Sequence, residues 1–263
     1  MNKKANKIIL LAVAILFSFS AGAQSVFSSR VRNLPNYDYA PYHFGFVLAI
    51  NKMHVAIDPI DNMHNVYFLS DDADDITPAP DSMRVLGIGY KPQYGFTVGI
   101  VSNLRLTEYL DLRFIPSLSF GERVITYDIY RCYSDGENDI VNKEKRIPST
   151  YIDFPLHIKY KSKRIHNVRA YVFGGMKYSL DLASLSKKQR DESNNNLIVK
   201  FDQHNYGFEL GVGFDYYTNW FKFGTEIKMG YNINDPLKRE GNIYSESIES
   251  LRPRMFQVSF TFE

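Results

Sequence analysis

The chain has 263 residues, 44% hydrophobic and 15% aromatic, with 31 basic against 29 acidic side chains and a single cysteine. That much apolar and aromatic material excludes a disordered chain. Average Gly and Pro usage excludes collagen-like or low-complexity sequence, and a lone Cys excludes a disulfide scaffold or a Cys-rich zinc module. The near-balance of charge leaves no electrostatic footprint for nucleic acid.

Lys3, Lys4 and Lys7 precede an apolar run from Ile8 to Phe19 that closes on Ala21, Gly22 and Ala23. This is the pattern of a signal peptide, with cleavage expected after Ala23. The run is shorter than the roughly 20 residues a helix needs to span a bilayer, so a retained anchor is the weaker alternative. Gln24, not Cys, stands directly after the cleavage point, so a lipoprotein is not indicated, and no later stretch reads as a transmembrane helix. Residues 24–41 are then expected as a periplasmic N-terminal segment, and 42–263 as one domain.

From Tyr42 onward the dominant signal has period two. Phe44, Phe46, Leu48 and Ile50 alternate with Gly45, Val47, Ala49 and Asn51. The same alternation recurs through Phe96, Val98 and Ile100; through Leu110, Leu112, Phe114, Leu118 and Phe120; and through Ile152, Phe154, Leu156, Ile158 and Tyr160. It continues in Val172, Met176, Tyr178 and Leu180, in Phe208 to Tyr216, in Phe221 to Tyr231, and ends in Phe256, Val258, Phe260 and Phe262. These are eight strands, most of them as long as the roughly 9 to 11 residues that cross a membrane when tilted.

Alternation does not say which face is inside, but the glycines do. Gly45, Gly95, Gly99, Gly121, Gly175, Gly207, Gly211, Gly213, Gly224 and Gly230 share the polar face, and only Gly174 lies on the apolar one. A solvated outer face has no use for so many strand-weakening glycines, whereas the interior of an eight-stranded barrel is barely wide enough for side chains. The expected fold is all-β: an eight-stranded antiparallel transmembrane barrel, small and polar inside, with Phe, Tyr and Leu facing lipid.

The connections agree. Residues 105–108, 162–166 and 218–220 are short, as periplasmic turns are, while 53–84, 128–148, 184–205 and 233–250 are long, as external loops are. Tyr109, Tyr127, Tyr160, Tyr178, Tyr217, Trp220 and Tyr231 fall near strand ends, where an interfacial aromatic girdle belongs. Pro116 and Pro155 lie inside strands of a closed barrel, so bulges are expected there.

With this facing the lumen carries Asp111, Arg113, Asp153, His157, Lys159, Arg169, Lys177, Asp181, Glu209, Asp215, Lys222, Glu226 and Lys228. Buried charges are tolerable only when paired, so a plugging network of ion pairs is expected. A catalytic reading competes with it. Asp153 and His157 share a strand face but stand about 13 Å apart along it at roughly 3.3 Å per residue, so an acid and base pair would have to form across strands, for example with Glu209. No G-x-S-x-G, H-E-x-x-H or P-loop pattern occurs, and nothing calls for a cofactor. His54 and His64 with Asp58 and Asp61 read as polar filler of the first external connection rather than metal ligands. Asp71, Asp72, Asp74 and Asp75 lack calcium-loop spacing, and Cys132 has no partner.

Residues 38–51 (DYAPYHFGFVLAIN), 112–123 (LRFIPSLSFGER), 151–184 and 209–233 resemble the PorT family, small outer-membrane barrels required by the type IX secretion system. The resemblance implies a part needed for export and maturation of secreted proteases and other cargo with a C-terminal sorting domain, and for gliding in motile relatives. The family supplies no catalytic motif. Phe256, Val258, Phe260 and Phe262 look like the final strand that the barrel-assembly machinery recognises, with Glu263 departing from a terminal aromatic.

Three functions remain open at this point: a non-enzymatic barrel contacting other secretion components, an outer-membrane hydrolase or acyltransferase, and a small-solute channel. For the first, Arg30, Arg32, Tyr37, Tyr39 and Tyr42, with the basic turn Lys161, Lys163 and Arg164, are the candidate periplasmic docking surface. The alternative for these residues is a plain lead into the barrel and a basic turn that meets anionic lipid.

Overall fold

The computed structural model describes residues 32–69, 80–182, 200–239 and 241–263. The expected leader, Arg30 and the run Asp71, Asp72, Asp74 and Asp75 lie outside them. Eight strands form the ring: β1 (Tyr42–Pro59), β2 (Ser82–Arg105), β3 (in two pieces, Leu110–Phe114 and Ser117–Cys132), β4 (Asp139–Lys161), β5 (Val168–Asp181), β6 (His204–Tyr217), β7 (Lys222–Asn232) and β8 (Ile248–Phe262). Each pairs antiparallel with its neighbour in sequence, and β1 pairs with β8, from Phe46 opposite Phe262 to Pro59 opposite Ile248. The sheet therefore closes on itself and has no free edge in the ring.

Physical chemistry fixes which way the strands face. Outward positions of β4 run Tyr160, Ile158, Leu156, Phe154 and Ile152. Nine residues at about 3.3 Å each, tilted by about 40°, give an apolar band roughly 23 Å tall, close to the height of a barrel's lipid belt. Exposed apolar side chains continue it around the ring: Phe44, Ile50, Phe96, Ile100, Val172, Leu210 and Ile227. Phe46 stacks on Phe262 and Phe96 on Phe120 across strands, each pair with centroids 4.7 Å apart. Among the described residues no helix is long and apolar enough to cross a membrane; the crossing is by strands.

Glycine permits close packing inside. A Cβ at Gly211 would stand 2.4 Å from the Phe173 ring, and one at Gly213 would stand 2.6 Å from Tyr171. Those aromatic rings point into the lumen, which the pattern of outward aromatics did not anticipate.

The expected bulges at Pro116 and Pro155 are absent. Phe114 pairs with Leu156 and Ser117 with Asp153, and on the other side Phe114 pairs with Ser102 and Ser117 with Gly99, so the register runs unbroken past both prolines. Each proline keeps its carbonyl in the ladder, Pro116 accepting from the Ile100 amide and Pro155 from the Ile115 amide. Only the missing N–H is lost, so facing does not change. Register shifts occur in β2 instead, between Val85 and Gly87 and between Pro92 and Phe96, and at the external end of β1 between Asp58 and Pro59. Met83 and Val85 point inward below the first shift in sequence, Ile88 and Tyr90 beyond it, and Thr97 after the second.

The short turns stand as expected, joining β2 to β3, β4 to β5 and β6 to β7. The long connections do not. β3 runs to Cys132 and β4 starts at Asp139, so most of residues 128–148 is a strand hairpin closed by a six-residue turn. β1 likewise reaches Pro59 and β2 begins at Ser82. Above the lipid belt these strands reverse their polarity: on β4 the outward residues become Arg146 and Glu144 while Ile147 turns inward and is buried. Val55, Met83, Ile125, Tyr127, Ile129, Ile147, Ile248 and Leu251, with Tyr244 of the short helix Ile243–Glu246, form an apolar core that caps the external end.

Candidate functional site

Every lumen charge expected from the facing is buried: Asp111, Arg113, Asp153, His157, Lys159, Arg169, Lys177, Asp181, Glu209, Asp215, Lys222, Glu226 and Lys228 all lie at or below 8% exposure. They are arranged in tiers along the barrel axis. In the middle, Arg113 donates to Glu226 at 2.5 Å and stands 3.6 Å from Glu263, while Lys222 donates to Glu263 at 2.7 Å. Tyr171 donates its hydroxyl to Glu226 at 2.7 Å, and Lys159, paired with Asp215 at 2.8 Å, lies 3.5 Å from the centre of the Tyr171 ring.

The next tier outward centres on Glu209, which receives Lys228 at 2.8 Å, His157 at 3.0 Å and Lys177 at 3.2 Å. Asp153 accepts hydrogen bonds from Ser119 and Ser179, with Lys177 at 4.0 Å. Above it Arg123 donates to Tyr151 and Ser149, and the apolar external core begins. Among the described residues two small voids lie inside, about 20 Å³ beside Arg123 and Asp153 and about 10 Å³ beside Asp38 and Lys161. Spaces of this size hold about one water each.

The His157 to Glu209 contact is the cross-strand pair that a catalytic reading needs. Its surroundings work against chemistry: both side chains are fully enclosed, and two lysines already hold the Glu209 carboxylate. Among the described residues no cavity larger than about 20 Å³ lies beside this pair. His54 and Asp58 belong to β1 and His64 to a short 3-10 turn, and among the described residues no group of three or more His, Cys, Asp or Glu is placed to hold a metal ion. Cys132, a free thiol, ends β3.

The N-terminal segment closes the other end. Asp38 enters the periplasmic mouth and accepts from Arg169 at 3.0 and 3.1 Å and from the Tyr217 hydroxyl at 2.8 Å, with Arg164 at 3.6 Å. Burial opposes the charge on Asp38, but Arg169, the Tyr217 hydroxyl and Arg164 outweigh it and hold the carboxyl below its ordinary value. Tyr37 stacks on His43 at 4.0 Å and lies over Lys222, and Asn33 bonds both Asn167 and the Tyr217 carbonyl.

This placement divides the candidate docking residues. Lys161 is buried and donates to Asp111, Arg164 is buried against the Tyr217 ring at 3.6 Å, and Tyr37 is half-buried in the mouth. Their charges and ring are spent on closing the barrel. Arg32, Tyr39, Tyr42 and Lys163 remain exposed on the rim. Tyr217 and Tyr127 are not girdle residues: the first faces the mouth and the second the external core, both buried. Tyr109, Tyr160 and Trp220 are exposed at the periplasmic end.

Phe256, Val258, Phe260 and Phe262 all point out of the barrel, and Glu263 points in. Glu263 was missed as a lumen residue although its parity announces it, since Thr261 and Ser259 before it are buried. Asp38 was missed for a different reason: nothing local marks a carboxylate whose partners follow 126 to 179 residues later in the chain.

A closed strand ring, an apolar belt and a sealed, ion-paired lumen define an integral outer-membrane β-barrel. The chain belongs to the outer membrane protein beta-barrel domain family, whose model matches residues 64–238. Among solved structures it is similar to neisserial surface protein A, at 10% identity over 85% of this chain and 99% of that one, TM-score 0.39. It is also similar to the N-terminal β-barrel domain of Pseudomonas aeruginosa OprF (15% identity, 82% and 97% covered, TM-score 0.28) and to OprG of the same organism (12%, 83% and 93%, 0.32). No match is found among curated proteins.

Proposed function

We propose that this barrel is a non-enzymatic outer-membrane component of the type IX protein secretion system, required for export and maturation of secreted proteases and other cargo with C-terminal sorting domains. The likeness of residues 38–51, 112–123, 151–184 and 209–233 to the PorT family names the system. The observation that carries the non-enzymatic reading is the sealed lumen: ion pairs fill it, Asp38 stops one end and the apolar core caps the other. Among the described residues neither a solute path nor an accessible acid and base pair is left, so the surfaces available for work are the periplasmic rim and the external cap.

The partners are then lipid, the barrel-assembly machinery and other secretion components, met through protein contacts at the rim residues Arg32, Tyr39, Tyr42 and Lys163. A strain lacking this protein is expected to retain cargo in the periplasm, and the wild-type gene to restore secretion. Normal secretion in that strain would overturn the proposal. Replacing Arg32, Tyr39 and Lys163 by Ala together is expected to abolish complementation while leaving a folded, heat-modifiable barrel in the outer membrane.

A further inference from the structure

The apolar belt ends, on the external side of β1 and β8, in a cluster of basic side chains. Outward residues of β1 run Phe44, Phe46, Leu48 and Ile50, then Lys52 and His54; those of β8 run Phe260, Val258 and Phe256, then Arg254 and Arg252. Register places Lys52 opposite Phe256 and His54 opposite Arg254. Directly opposed side chains have Cβ atoms about 5 Å apart and diagonal ones about 7–8 Å, so Lys52, His54 and Arg254 reach one phosphate-sized group together.

These cations differ from others on the outer face. On the external lobe Lys91 pairs with Glu144 and Arg131 with Asp139. Lys52 and Arg254 have aromatic neighbours but no ion pair among the described residues: Lys52 lies 5.5 Å from the Tyr94 ring centre and Arg254 5.7 Å from that of Tyr231. Like charges held close on a sheet repel unless an anion lies between them. Beneath them a groove of about 610 Å³ is floored by Ile50, Phe256, Val258 and Met229 and rimmed by Lys52, His54 and Arg254.

We propose that this groove binds an anionic lipid of the outer leaflet, its phosphate between Lys52, His54 and Arg254 and an acyl chain along Ile50, Phe256 and Val258. The cations sit where the outer face turns from apolar to polar, which is the depth of a headgroup. A free anion would use the rim and leave the apolar floor exposed to nothing; an amphipathic anion satisfies both. The inference rests on the barrel's sidedness and not on its role in secretion.

Native mass spectrometry of the folded protein in detergent tests it, with phosphorylated lipid A, its dephosphorylated form and inorganic phosphate as probes. The wild type is expected to retain the phosphorylated lipid in preference to the dephosphorylated one. Lys52→Gln with Arg254→Gln is expected to weaken retention by about thirtyfold, as removal of two cations at a membrane surface does. Arg131→Gln, at the tip of the β3–β4 hairpin where Arg131 pairs with Asp139, is expected to change nothing, and heat-modifiable migration verifies that each variant is folded. Equal retention by wild type and double variant, equal retention of both lipids, or displacement by inorganic phosphate would each overturn the proposal.

Discussion

Asp38 accepts two hydrogen bonds from Arg169, at 3.0 and 3.1 Å, although 131 residues separate them in the chain. The fork of the guanidinium matches the carboxylate, and this geometry fastens the N-terminal segment into the barrel mouth.

Because the Asp38 carboxyl is held below its ordinary value, the fastening is pH-dependent. A depressed acid stabilises the folded state at pH above its unfolded value of about 3.9, and that contribution disappears as pH falls through the lower, folded value. Hydrogen exchange at the Tyr39 and Ala40 amides, which donate to Asn36 and Tyr37, reads the segment directly. Their protection is expected to hold from neutral pH down to about 4 and to fall below it. Asp38→Asn is expected to lower it about tenfold at neutral pH, with barrel amides unchanged. Protection that ignores both pH and the substitution would show that other contacts hold the segment.

Arg113 provides a test of the lumen. Its guanidinium is fully buried between Glu226 and Glu263. Arg113→Met leaves Glu226 a buried carboxylate without its guanidinium partner, hydrogen-bonded by the Tyr171 hydroxyl, and removal of one partner of a buried pair costs about 3–5 kcal/mol. Arg113→Met combined with Glu226→Leu is expected to recover most of that loss, because no orphaned charge remains. Urea unfolding of the reconstituted barrel, followed by the heat-modifiable band, measures both. Equal losses in the single and double variants would mean that packing volume, not charge, is what Arg113 supplies.

The ring and the lumen were legible because parity and glycine placement report burial directly: odd residues from Asp111 through Ser119 face inward whatever Pro116 does to the ladder. The external cap was not, because polarity inverts along a continuous strand. Ile125, Tyr127 and Ile129 face inward and Asp128 outward, which is the pattern of a soluble sheet and reads as a loop to anyone looking for lipid-facing residues. The mouth was not legible either, since Arg164 and Lys161 in a turn look like solvent-facing charges until Asp38 and Asp111 are placed beside them.

Leu210 and Ile140 separate lipid from water. Both are exposed, at 57% and 62%, but Leu210 lies mid-belt on β6 while Ile140 lies on the external β3–β4 hairpin. Arginine on a lipid-facing barrel position near the midplane costs about 2–4 kcal/mol, whereas a surface change in water stays within about 0.5 kcal/mol. Leu210→Arg is therefore expected to destabilise the reconstituted barrel and Ile140→Arg to be neutral. A neutral Leu210→Arg would contradict the placement of the belt.

Leu251 tests whether the cap stands apart energetically from the barrel beneath it. It is fully buried in the external core with Tyr127, Ile129 and Tyr244, and Tyr127 donates its hydroxyl to the Tyr244 carbonyl at 3.1 Å. Leu251→Ala removes buried apolar volume at a cost of about 2–5 kcal/mol. The strands below are held by a separate set of contacts, the Glu209 and Glu226 tiers, which this substitution does not touch. Local opening is expected to follow that division. Hydrogen exchange should accelerate in the hairpin ends of β3 and β4 and in the first residues of β8, while amides flanking His157 and Lys228 keep wild-type protection. Uniform acceleration through both regions would mean that cap and barrel unfold as one unit, with the cap core holding the lumen closed from above.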